Sequence, residues 1–234
     1  MIGETINAPY AENFTVSNVF SSDMVVQRGE HIRVWGFADA SENGHKVSGE
    51  FMGMFAEALI ENGAWTLTFG ARLNACAEQG NSMRIYTDRT AFVFENVLVG
   101  DVFMVIGQSN VAYSMAAHRA AVPEAERGGV GYDVPSTPIR LHYNSLMQET
   151  GVTRGTEEVC AELRNRETWK RADAAAVQDF SALGYLFAAE YARATGVPVG
   201  VIEIDGNGQP IGAFLPNSVA EATGSDKWSE QKGY

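Results

Sequence analysis

The amino-acid sequence predicts an all-β region followed by an α/β region: a β-sandwich over residues 1–99 and a parallel sheet with covering helices over residues 100–234. Three observations carry this. Apolar and polar residues alternate repeatedly through the first part of the chain, the mark of half-buried strands. Turn-forming clusters cut that stretch into short lengths. After Gly100 the pattern changes to short apolar runs, and a helix leads directly into the last of them, which is the grammar of a parallel sheet.

The clearest strand covers residues 64–69, where Trp65, Leu67 and Phe69 share one face and Thr66 and Thr68 the other. Residues 31–37, 46–52 and 83–87 repeat that alternation, and residues 91–99 are rich in branched and aromatic side chains, as in a buried strand. Arg28-Gly29, Glu42-Asn43-Gly44, Asn62-Gly63 and Gln79-Gly80-Asn81 supply the turns. Beyond Gly100 the apolar runs are 101–106, 139–143 and 199–204. Between the last two, residues 181–195 read as a helix with Leu183, Phe187 and Tyr191 on one face. Ser181 caps its start, Gly196 ends it in a left-handed turn and Pro198 prevents continuation. Gly184 costs this helix about 1 kcal/mol against alanine; it is either kept for close packing on the sheet or simply tolerated. Residues 144–177 read as a long surface connection with a short helix near 157–166.

Hydrophobic residues make up 45% of the chain and charged residues 20%, an ordinary globular balance. The formal net charge of −12 repels nucleic-acid phosphates and anionic membrane surfaces, so neither is expected as a partner. Residues 1–11 lack the basic start and apolar core of a signal peptide, so a cytoplasmic location is expected. No stretch approaches the roughly 20 apolar residues of a membrane span. Cys76 and Cys160 fall on opposite sides of the boundary and read as ordinary thiols, not a disulfide framework or metal site.

Gly107-Gln108-Ser109-Asn110 directly follows the run 101–106. Ligands of open α/β sheets bind outside the carboxyl ends of the strands. A serine there, between a small residue and a helix start, is placed to act as a nucleophile, with backbone N–H groups near a developing oxyanion. The residues alone leave a second use open: Ser109 or Asn110 as the cap of a helix over 111–117. Asp205-Gly206-Asn207-Gly208-Gln209-Pro210-Ile211 is equally two-sided. It makes a plain strand-to-helix turn, or it brings the N–H of Gly208 close to a substrate with no Cβ in the way.

In their order along the chain these segments resemble the sialate O-acetylesterase and acetylxylan esterase branch of the SGNH hydrolases. Gly107-Gln108-Ser109-Asn110 resembles that family's Gly-Gln-Ser-Asn-Met block, with Val111 in place of Met. Asn96-Val97-Leu98-Val99-Gly100-Asp101-Val102-Phe103 looks like its lead-in strand, with Phe103 where Trp is usual. Met24-Val25-Val26-Gln27-Arg28, Ile32-Arg33-Val34-Trp35-Gly36 and Asn62-Gly63-Ala64-Trp65 resemble its N-terminal β domain. Trp169, Phe180-Ser181-Ala182-Leu183-Gly184-Tyr185-Leu186-Phe187 and Gly196-Val197-Pro198-Val199-Gly200-Val201-Ile202 follow in the family's order. Asp205–Ile211 falls where the family has Gly-Gly-Thr-Pro-Ile, with Asn207 for the first glycine, and Phe214 stands for a later Trp. The resemblance implies a β-sandwich joined to an incomplete flavodoxin-like (SGNH hydrolase) domain. It implies hydrolysis of acetyl esters on sugars without a metal or organic cofactor, with Ser109 as nucleophile, the N–H groups of Ser109 and Gly208 as oxyanion donors, and Gln108, Asn110 and Asn207 beside the substrate.

A serine nucleophile needs a base. The family's base is a histidine in an Asp-x-x-His block, preceded by a Gln-Gly-Glu block, and neither occurs here. The four histidines are His31, His45, His118 and His142, of which His142 ends a predicted strand and could face the crevice. The resemblance therefore implies a site completed by a second chain or a missing C-terminal segment that supplies the catalytic histidine, with little activity from this chain alone. An inactive short relative is the other account. A rival reading from a different class is a non-catalytic sugar-binding or interaction protein using the β domain. Trp35 and Trp65, both in alternating strands, are expected to pack in the core.

Overall fold

The computed structural model describes residues 10–11, 14–78, 80–127, 132–133, 135–145, 168–206, 208, 211–215 and 217–224. Its strands are β1 (Tyr10–Ala11), β2 (Phe14–Val16), β3 (Val25–Gln27), β4 (His31–Ala38), β5 (Lys46–Phe51), β6 (Met54–Leu59), β7 (Ala64–Arg72), β8 (Met83–Tyr86), β9 (Ala91–Phe94), β10 (Leu98–Gly107), β11 (Ile139–Ser145), β12 (Lys170–Arg171) and β13 (Val199–Asp205). The helices are Met115–Ala121, Ala174–Asp179, Ala182–Thr195 and Asn217–Thr223. The fold is mixed α/β, with several sheets and few helices. The expected short helix near 157–166 lies outside the described residues, as does Cys160.

Two four-stranded antiparallel sheets, in the orders β1-β2-β4-β7 and β6-β5-β8-β9, share one buried core. Alternation does the work: Ile32, Val34, Trp65, Leu67 and Phe69 point inward from the first sheet, and Val47, Phe51, Ile85 and Phe92 from the second. The sheets approach so closely that a Cβ on Gly49 of β5 would stand 2.8 Å from Leu67 Cδ1. Trp65 is 3% exposed and stacks on Phe14. Trp35 departs from expectation. It is 42% exposed, because β4 turns its odd-numbered residues outward.

The third sheet has the order β12-β11-β13-β10-β3, and all of its pairings are parallel except that of β12 with β11. β10 runs across residue 100 and pairs with β3 at Leu98–Gly100 before pairing with β13 from Asp101 onward. β13 lies between β10 and β11, so residues 139–143 sit one strand away from 102–106. The carboxylate of Asp101 ties these parts together. It accepts bonds from Arg28 Nε and Nη2 at 2.9 Å, Gln27 Nε2 at 3.2 Å and the Tyr191 hydroxyl at 2.8 Å.

The helix Ala182–Thr195 packs on this sheet through Ala182, Gly184, Tyr185, Ala188, Ala189 and Ala192. Ser181 caps it and Gly196, at φ 67°, ends it, as expected. The buried face is not the predicted one: Leu183 is 57% and Phe187 46% exposed. Small residues let the helix axis come near the sheet, and a Cβ on Gly184 would stand 3.0 Å from Val105 Cγ1. Helical periodicity reports amphipathicity, and here Leu183 and Phe187 lie outside the core while Tyr185 lies within it.

Candidate active site

The loop after β10 begins with a close approach. A Cβ on Gly107 would stand 2.7 Å from Val111 Cγ2, so a larger residue here would force the Val111 side chain to move. The N–H groups of Val111 and Ala112 both donate to the Gln108 carbonyl, at 2.8 and 2.9 Å, closing a single turn over 108–112. Val111 is buried beneath it, while Gln108, Ser109 and Asn110 are exposed. The expected helix over 111–117 starts later, at Met115, and its cap is Ser114, whose Oγ accepts from Ala117 N–H. Ser109 and Asn110 therefore do not cap a helix. The donors near Ser109 belong to the turn, and the helix start lies further along.

The second loop leaves the adjacent strand. Register pairs Gly107 with Asp205, and Gly206 N–H donates to the Gly107 carbonyl at 3.0 Å. Gly208 follows, exposed, with φ +75°. Asn207 lies outside the described residues. Thus the loops bearing Ser109 and Gly208 leave neighbouring parallel strands at the same end.

A buried relay holds the first loop. Glu203 Oε2 accepts the Ser181 N–H at 2.7 Å. The adjoining residues bond the loop directly: Ala182 N–H donates to the Tyr113 carbonyl at 2.8 Å and Met115 N–H to the Phe180 carbonyl at 2.9 Å. Burial pushes the Glu203 carboxyl up to about 8, with Asp205 adding to the rise and the Ser181 N–H opposing it. Neither Glu203 nor Asp205 stands out in the sequence as a site residue. Their only signal there is two carboxylates at alternate positions in an otherwise apolar parallel strand, where acids are rarely buried.

The histidines are placed elsewhere. His142 is 1% exposed, in edge contact with Trp169 and 3.4 Å from the Asn18 carbonyl. Register sets it opposite Ile202, three rungs before the Gly107–Asp205 rung, and it packs in the interior, the ordinary use of a histidine, and not toward the crevice that the end of this strand could have offered it. Burial lowers its pKa. His118 bonds the Tyr132 hydroxyl at 2.7 Å, His45 pairs with Glu42, and His31 contacts the Phe69 carbonyl. None of them bonds Ser109. Among the described residues no group of three His, Cys, Asp or Glu side chains is arranged to hold a metal, and no helix is long and apolar enough to cross a membrane.

The structure is similar to a carbohydrate acetylesterase from Xanthomonas citri, with a TM-score of 0.68 and 24% identity over 92% of this chain. This chain spans 44% of that protein's length. At this identity the likeness is one of fold. No protein-family model matches the chain, and no curated protein matches it.

Proposed function

We propose that the chain forms the nucleophile-bearing part of a serine carbohydrate O-acetylesterase of the sialate O-acetylesterase type, in an SGNH-like domain. The observation that carries this reading is an exposed serine, not engaged as a helix cap, at the carboxyl end of a parallel strand beside a glycine loop from the next strand. In this reading Ser109 Oγ attacks the acetyl carbonyl, and its proton passes to a base. The N–H groups of Ser109 and Gly208 stabilise the oxyanion. The C–O bond to the sugar breaks, the sugar leaves as its alcohol, and water then releases acetate from Ser109. Gln108, Asn110 and Asn207 border the substrate.

The base comes from polypeptide other than these 234 residues, since none of the four histidines contacts Ser109. The edge of β10 supports such completion. Beyond Gly100 its side opposite β13 carries no strand among the described residues, and Met104 and Ile106 are 57% and 46% exposed. Open strand edges with apolar neighbours are sites for further pairing. A general base is worth about 10²–10⁴-fold, so this chain alone should hydrolyse 4-nitrophenyl acetate slowly. With the completing polypeptide, turnover should be robust and should vanish in Ser109→Ala; near-wild-type turnover in that variant would refute the assignment.

One observation favours a second reading, a sugar-binding surface. Trp35 and Phe37 occupy successive outward positions on β4 and are 42% and 55% exposed. Polysaccharide retention lost in Trp35→Ala and unaffected by Ser109→Ala would support it.

A further inference from the structure

We propose that Tyr113 is the stacking platform for the pyranose ring of the ester, which makes it the residue that selects a sugar over other acetylated alcohols. The inference deepens the esterase reading and rests on it. Five large aromatic side chains are notably exposed among the described residues: Trp35, Phe37, Phe55, Tyr113 and Phe187. Tyr113 alone among these lies on the loop that carries Ser109. It follows Ser109 by four residues, and the turn closed by Ala112 N–H and the Gln108 carbonyl occupies the interval. The backbone between them is a turn and not a helix, so what joins the two residues is the short loop at the carboxyl end of β10.

The ring is exposed and also braced. Its own carbonyl is fixed by Ala182 N–H at 2.8 Å. The ring stands perpendicular to that of His118, with centroids 6.0 Å apart. His118 is itself held by the Tyr132 hydroxyl at 2.7 Å, and the Arg127 guanidinium lies 5.6 Å from the centre of the Tyr132 ring. Tyr113 as a whole remains 40% exposed, so this bracing does not bury it. A rigid aromatic offers contact area at small entropic cost. Pyranoses present a face of C–H groups that packs on an aromatic ring while their hydroxyls stay in water. A ring held there presents an acetyl group on its rim to Ser109, and binding energy from the non-reacting part of the substrate serves to orient the reacting part.

The test uses the purified chain carrying Ser109→Ala and a methyl mono-O-acetyl-xylopyranoside, followed by saturation-transfer NMR and titration. Saturation should reach the ring C–H protons. Adding Tyr113→Ala should weaken binding about tenfold, the equivalent of roughly 1.4 kcal/mol, while Tyr113→Phe should retain it, because stacking needs the ring and not the hydroxyl. Circular dichroism confirms that each variant is folded. Undiminished binding in Tyr113→Ala, or no binding by the folded parent, would overturn the proposal. Binding that depends on Tyr113, together with completed-enzyme turnover that survives Ser109→Ala, would leave the platform standing and remove only the nucleophile assignment.

Discussion

Gly206 donates its backbone N–H to the carbonyl of Gly107 at 3.0 Å, one step beyond the last rung that joins β10 to β13. Two loops of different sequence thereby begin from one fixed point, one leading to Ser109 and the other to Gly208. Side chains contribute nothing to this bond, so the shape of the site at this point depends on backbone geometry and on residues small enough to permit it.

Gly208 has φ +75°, a conformation that costs an alanine about 1–2 kcal/mol. Gly208→Ala should therefore displace the N–H proposed as an oxyanion donor. The kcat of the completed enzyme on 4-nitrophenyl acetate should fall about 10²-fold or more, alongside a modest fall in Tm from the same backbone strain. Gly196→Ala is the comparison: it strains the end of the long helix and should lower Tm while leaving kcat alone. Equal kcat effects in both variants would count against an oxyanion role.

Glu203 makes stability depend on pH. Its folded pKa is raised from 4.5 to about 8. Between those values the folded chain holds a proton that the unfolded chain has lost. Stability from this group is therefore complete below about pH 4.5, falls as pH rises and is lost above about pH 8. A tenfold difference in proton affinity between the folded and unfolded chain corresponds to about 1.4 kcal/mol. Glu203→Gln should remove this contribution while its amide oxygen still accepts the Ser181 N–H. Urea midpoints of both proteins from about pH 5 to about pH 8.5 give the difference directly. A difference that stays constant across the window would show that Glu203 does not titrate there.

Gly184 and Leu183 test the packing of the long helix. A Cβ on Gly184 would stand 3.0 Å from Val105 Cγ1 and 3.3 Å from Phe180 Cε1. Gly184→Val should overpack this contact and cost about 1–3 kcal/mol. Leu183→Gln, at a site 57% exposed, should change stability by no more than about 0.5 kcal/mol. Thermal unfolding of the two variants should rank them in that order; the reverse would mean that Leu183, and not Gly184, faces the core.

Much of the candidate site is legible in the sequence without the fold. Ser109 follows an apolar run and a glycine, and a strand end with a following turn is a local pattern. Glu203 is not legible, because its importance lies in a bond to Ser181, twenty-two residues away in sequence. Tyr113 is equally silent: its exposure and its brace of His118 and Tyr132 exist only once the loop is folded.

The sequence by itself determined where most strands lie, which residues of β7 point inward and where the long helix starts and stops. These follow from alternation, capping and turn chemistry, which act over a few neighbouring residues. Tertiary structure decided the rest. It placed β13 between β10 and β11, drew β3 into the parallel sheet, turned the alanine face of the long helix inward and set His142 against Trp169 instead of the crevice. Those outcomes depend on which surfaces pack most closely over long separations in the chain, and side-chain volume across an interface is a property of pairs of elements that no local period encodes.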